Sequence, residues 1–270
     1  MLTKKTLKKA LADVRAKSPL VHNITNFVVM NNTANALLAV GASPVMAHSK
    51  DEVSDMTSIA SALVLNIGTI EQNWLEAMIL AGKTANKKKI PVILDPVGAG
   101  ATPFRMRACA EILSNVKVSI IRGNASEIMA LGKLGAARTK GVDSTESSDS
   151  AVKLATKLSA DTGAVVVVSG ATDYVCKASK GKTPERVESL SFGHPLMARV
   201  TGMGCTATAI LGAFAAVERD MFKASLCGMA TMGIAGALAG KVARGTGSMQ
   251  VEFLDALTRI SDADIDAAFC

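Results

Sequence analysis

Thr201-Gly202-Met203-Gly204-Cys205 places two glycines, a hydroxyl and a thiol directly before the uncharged run Thr206 to Val217. Glycine lets backbone N–H groups approach a ligand closely, and a helix beginning there adds the positive end of its dipole. The segment predicts an anion-binding loop. Asp95 follows the apolar run Ile90 to Leu94, and with Glu127 it could hold Mg²⁺ largely through water, because that ion keeps its hydration shell and needs few direct carboxylates. Arg122 could then neutralise phosphate charge. These residue types suit phosphoryl transfer, in which positioning and electrostatics do most of the catalysis.

Each residue also has a simpler explanation. Asp95 precedes Pro96 and could form an Asx turn. Glu127 lies three residues after Asn124, the spacing of a capping box. Arg122 could pair with a neighbouring acid, and Cys205 could be a small buried residue at a helix start. As a functional group, Cys205 is expected to have its pKa lowered by the helix N-terminus, making it an imperfect base for a substrate hydroxyl. His22 reads as a structural hydrogen-bonding group, Trp74 as helix packing, and Met30, Met129, Met197, Met229 and Met232 as core filling. The chain has neither a Walker A motif nor the full G-x-G-x-x-G pattern, since Gly98-Ala99-Gly100 runs into Ala101-Thr102-Pro103.

The elements that must position these residues alternate. Leu7, Leu11 and Val14 mark an opening helix; Pro19 to His22 is a short strand entering the loop His22 to Asn26. A helix over Phe27 to Val40 stops at Gly41, and Ser43 to Ala47 is a strand. Ser49-x-x-Glu52 has capping-box spacing. Strands follow at Ala62 to Leu65, Ile90 to Leu94, Val116 to Ile121 and Ala164 to Val168. Helices follow at Glu71 to Asn86, Phe104 to Leu113 and Ala151 to Ala160. Strands this uniformly apolar predict a mainly parallel sheet covered on both faces, an α/β fold. Tyr174 to Ala178 and Arg186 to Ser191 read as a late antiparallel edge, and the chain after Cys205 as predominantly helical. No linker tract divides the chain, so 1–270 is expected to be one domain, with a polar loop over Gly135 to Ser150.

Composition narrows the partners. The 270 residues, 49% apolar, can fill a large core. A net charge of +7 comes from scattered cations with only 3% aromatic residues, which argues against nucleic acid. Five cysteines without C-x-x-C pairing, and no signal-peptide pattern, suggest a reducing cytoplasm. Ala224 to Gly240 has no charge and contains Gly236-x-x-x-Gly240, but its small residues suit a helix buried in an α/β protein better than a membrane span.

Six segments occur together in one order: His22-Asn23-Ile24-Thr25-Asn26, Gly41-Ala42-Ser43-Pro44-Val45-Met46, Asn66-Ile67-Gly68-Thr69, Asp95-Pro96-Val97-Gly98-Ala99, Arg122-Gly123-Asn124-x-x-Glu127 and Thr201-Gly202-x-Gly204-Cys205. In them the chain resembles, over nearly its whole length, the hydroxyethylthiazole kinases of thiamine salvage. The resemblance implies a three-layer α/β/α ribokinase-like fold and a homotrimer with sites between subunits. It implies transfer of the ATP γ-phosphate, with Mg²⁺, to the alcohol of 5-(2-hydroxyethyl)-4-methylthiazole. By motif, Met46 and Gly202 contact the thiazole with Asn23 and Asn26 nearby, Arg122, Ser169 and Gly204 serve ATP, and Asp95 and Glu127 organise the metal. Cys205 falls where related sugar and vitamin kinases place a catalytic aspartate. Ser169 replaces a usual threonine and Met203 a common alanine; the first keeps its hydroxyl. The alternatives are a hydroxymethylpyrimidine or pyridoxal kinase, an ATP-dependent hydratase-type lyase on the same fold, and a non-catalytic nucleotide sensor.

Overall fold

A computed structural model describes residues 1–134, 148–181 and 183–269. Its strands are β1 (Leu20–Ile24), β2 (Ser43–Val45), β3 (Ala62–Asn66), β4 (Val92–Asp95), β5 (Ile120–Asn124), β6 (Val165–Ser169), β7 (Asp173–Lys177) and β8 (Arg186–Leu190). They form one sheet in the order β2-β1-β3-β4-β5-β6-β7-β8. The first six run parallel, and β7 and β8 are added antiparallel at one edge, as the sequence predicts.

Helices cover both faces. They are α1 (Lys4–Lys17), α2 (Met30–Val40), α3 (Val53–Ile59), α4 (Gln72–Lys88), α5 (Pro103–Asn115), α6 (Ala125–Gly132), α7 (Ser148–Thr162), α8 (Met203–Val217), α9 (Met221–Val242), α10 (Thr246–Arg259) and α11 (Asp262–Ala268). Successive strand residues point to opposite faces, so an unbroken apolar run supplies two cores at once. Val64 and Ile93 meet the layer that includes α1, α2, α8, α9 and α10. Leu63, Leu65, Val92 and Leu94 meet the layer of α3 to α7. The uncharged Ala224 to Gly240 lies in α9; by length and composition this helix could cross a membrane, but 78% of its apolar window is buried.

Several boundaries move. β1 continues to Ile24, so Asn23 and Ile24 are strand residues too, and α2 begins only at Met30. Gly41 caps α2 in the left-handed region, as expected. The predicted strand Val116 to Ile121 is instead β5 at Ile120–Asn124, because Val116 still closes the last turn of α5. Arg122 is therefore held in the sheet, opposite Val167. The box expected at Ser49 and Glu52 does not form. Ser49 Oγ accepts from the Asp51 N–H at 3.3 Å, and α3 starts after Glu52 with no side-chain cap. The loop expected over Gly135 to Ser150 falls mostly on 135–147, outside the described residues; from Ser148 the chain is helical.

Candidate active site

Parallel strands bring their carboxyl ends to one side of the sheet, and there the polar residues of β1, β3, β4, β5 and β6 meet the start of α8. Asn26 lies just beyond β1 and donates from Nδ2 to Asn66 Oδ1 at 2.8 Å and to Cys205 Sγ at 3.5 Å. Asn66 ends β3 and donates to Asp95 Oδ2 at 3.0 Å. The same oxygen accepts from Thr208 Oγ1 at 2.7 Å. Arg122 Nη1 stands 3.8 Å from it, and Arg122 Nη2 donates to Ser169 Oγ at the end of β6. One seam of hydrogen bonds and a single ion pair thus joins Asn26, Asn66, Asp95, Arg122, Ser169, Thr208 and Cys205.

The predicted loop has the backbone geometry that an anion site needs. Gly202 is the N-cap of α8 at φ 83°, a left-handed conformation that a side chain rarely adopts. The N–H groups of the first helical turn have no partner within the helix. A Cβ on Gly204 would lie 2.7 Å from Arg122 Nη1, so this glycine makes room for the guanidinium against the helix start. Arg122 is buried, and its Nε has no partner, leaving donor capacity for an anion.

Two carboxylates behave differently. Asp95 is fully buried, and desolvation pushes its carboxyl up to about 6 against the opposing Arg122 charge and the Thr208 and Asn66 hydrogen bonds. Its Oδ1 has no partner. Glu127 does form the capping box with Asn124, and its other oxygen accepts from the Gly98 N–H at 2.8 Å. It is thereby a brace between β5 and the loop after Asp95. Among the described residues no three His, Cys, Asp or Glu converge as a metal cage. This donor set, one buried carboxylate with an unsatisfied oxygen and a second close by, fits Mg²⁺ held through water and phosphate oxygens.

The thiol overturns one expectation. Burial, followed by the charge of Asp95, pushes Cys205 up to about 11, outweighing the hydrogen bonds from Asn66 and Asn26 and the Arg122 charge. The helix N-terminus does not make it a thiolate at neutral pH. Two predicted residues stay apart from the seam, the helix start and the carboxylates. Asn23 is buried in β1 and donates to Val21 O at 2.9 Å, and the half-buried Met46 follows β2 at the open edge of the sheet.

Four residues are given no role by the sequence reading, although Asn66 stands in one of its six segments. Asn66 and Thr208 complete the bonding of Asp95. Arg105 donates from Nη1 to the carbonyls of Ile67 (2.9 Å) and Val97, and from Nη2 to that of Gly68, clamping the loops after β3 and β4 together. Asp173 accepts from the Gly170 N–H at 3.0 Å, and burial raises its carboxyl to about 6, against that bond and the Arg122 charge. Only Asn66, a polar residue ending an apolar strand, has a signal of the kind that marked Asp95.

A parallel sheet with an antiparallel edge, an anion loop at a helix start and a buried Asp–Arg pair at the strand ends define a small-molecule kinase of ribokinase-like fold. A solved ribokinase-like superfamily protein from Enterococcus faecalis V583 superposes with TM-score 0.67 at 11% identity, covering 99% of this chain and 95% of that one. The profile of the "Hydroxyethylthiazole kinase family" matches residues 11–263. A hydroxyethylthiazole kinase from Syntrophus aciditrophicus is 50% identical over 95% of this chain and 93% of its own. The structure of the hydroxyethylthiazole kinase protein from Pyrococcus horikoshii OT3 superposes with TM-score 0.87 at 44% identity, over 97% and 96% of the two chains. The chain belongs to the hydroxyethylthiazole kinase family, whose members are phosphotransferases with an alcohol group as acceptor.

Proposed function

We propose that the protein, as one domain over 1–270, transfers the γ-phosphate of ATP to the primary hydroxyl of 5-(2-hydroxyethyl)-4-methylthiazole in thiamine salvage. The observation that carries the site assignment is the seam in which Arg122, Asp95 and Cys205 meet the first turn of α8. Arg122, with Ser169 as its hydrogen-bond partner, receives the transferring phosphoryl group, and the N–H groups around Gly204 receive its equatorial oxygens. Asp95, with Glu127 behind it, holds Mg²⁺, which neutralises phosphate charge when bound. Gly202, Met46, Asn23 and Asn26 form the thiazole side. The test is ADP release with the thiazole alcohol against pyrimidine and pyridoxal alcohols. ADP formation that does not depend on the thiazole rejects the assignment.

Cys205 aligns the acceptor and does not take its proton. A thiol pushed up to about 11 is almost wholly protonated at neutral pH, and a loose transition state needs the alcohol proton removed only late. Cys205→Ser is expected to slow kcat about tenfold, the scale of one hydrogen bond and far from the loss of a general base. Folded Cys205→Ser protein with no measurable turnover would contradict this role.

The protein is further proposed to be a cytoplasmic homotrimer with sites between subunits. Phe27 (65% exposed) and Val28 (64%) flank the site, and Leu38 and Ile59 lie exposed on helices beside the β1–β2 edge. Apolar surface of this kind supports a protein interface there. Sedimentation as a monomer at assay concentration removes this part of the proposal.

A further inference from the structure

The segment after β2 has no regular structure, yet it carries Met46, half-buried at the open edge of the sheet and assigned above to the thiazole side. Backbone outside helix and sheet needs other anchors to hold a side chain in register. His22 supplies one from inside. Its ring is fully buried, with Nε2 2.8 Å from the Ala47 carbonyl oxygen and Nδ1 2.9 Å from Thr57 Oγ1. His48 supplies another from outside, its ring stacked on Trp74 at 4.4 Å and 11°. Met46 directly precedes these two attachments, between them and the end of β2.

The bonding of His22 fixes its chemistry. A carbonyl oxygen only accepts, so Nε2 carries the proton given to Ala47. Burial lowers the pKa of the ring, which favours its neutral form. Nδ1 then presents a lone pair 2.9 Å from the buried Thr57 hydroxyl of α3, which also lies 2.6 Å from the Val53 carbonyl oxygen and has one proton to share between the two acceptors. Both nitrogens are engaged and neither reaches solvent, which excludes His22 as a base for substrate.

We propose that His22 is a positioning residue for the thiazole half of the site: the bond from its Nε2–H to the Ala47 carbonyl sets the placement of Met46. The inference rests on the assignment of Met46 to the thiazole side. It is independent of the phosphate seam, since no hydrogen bond of His22 involves Arg122, Asp95 or Cys205.

Glutamine and asparagine separate the two nitrogens, because the Gln amide reaches the Nε2 position and the shorter Asn amide only that of Nδ1. His22→Asn is expected to raise KM for the thiazole alcohol about tenfold, as loss of one buried hydrogen bond would, with KM for ATP within about twofold. His22→Gln recovers most of that loss. Equal rises in both KM values, a fall in kcat alone, or Gln no better than Asn overturns the proposal. Should His22→Asn fail to fold, the ¹⁵N shifts of His22 in the wild-type protein decide. The Nε2–H tautomer at neutral pH is required, and an Nδ1–H or doubly protonated ring refutes it. Met46→Ala separates the two layers of inference. Unchanged thiazole KM in Met46→Ala removes the assignment of Met46 and with it the purpose given to His22. Raised KM there with normal KM in His22→Asn removes the role of His22 alone.

Discussion

Arg122→Ala is expected to lower kcat about a thousandfold with a smaller change in the KM for ATP, since it deletes a donor that acts most strongly on charge developing in the transition state. The guanidinium is buried between Ser169 Oγ and Asp95, against the first turn of α8, so water cannot replace it well. Arg122→Lys should recover only part of the rate, because a single ammonium cannot keep the bond to Ser169 and face the phosphoryl group with a second donor. Gly204→Ala tests the same contact from the other side. Its new Cβ would come 2.7 Å from Nη1 and must push the guanidinium away. The two changes then act on one interaction: Gly204→Ala costs rate in the wild-type background and little more in Arg122→Ala. Near-normal kcat in Arg122→Ala, or fully additive losses, would show that the phosphoryl group lies elsewhere.

Part of this site was readable in the sequence because strand ends there carry residues that a buried apolar strand would not choose. Asp95 and Ser169 end apolar runs, and the Thr201 to Cys205 composition gives a helix start. Thr208 was hidden for the opposite reason. A threonine in an uncharged helix reads as core, and only its placement three residues after Cys205, facing β4, gives it to Asp95. Arg105 was hidden because its partners are backbone carbonyls, which leave no mark in the sequence. The position of β5 was misread because Val116 and Val118 are apolar and buried without being strand. The protonation of Cys205 was misread because dipole and burial oppose each other there, and burial is a property of the fold.

Removing charge from Asp95 should separate catalysis from stability. Asp95→Asn is expected to lose about a thousandfold in kcat while its Tm stays within about 3 °C of wild type, a window of roughly 1 kcal/mol. The amide oxygen can still accept from Asn66 and Thr208, so the bonds at Oδ2 survive. Two larger effects oppose each other. The variant no longer buries a carboxylate whose ionised form desolvation disfavours, but it leaves Arg122 without the countercharge 3.8 Å away. The pH dependence carries the sign. Burial raises the carboxyl from its ordinary 3.8 to about 6 in the fold, so between these values the folded chain holds a proton that the unfolded chain has lost. Its contribution therefore favours folding as pH falls from 7 through 6 and levels off below about 4. Activity moves the other way. If the ionised carboxylate organises Mg²⁺, kcat/KM falls as pH drops below about 6, and this limb is absent from the residual rate of Asp95→Asn. Wild-type kcat/KM that stays flat down to pH 5 would show that no titration of Asp95 near 6 limits the reaction. A variant inactive only because it unfolds would make the residue structural.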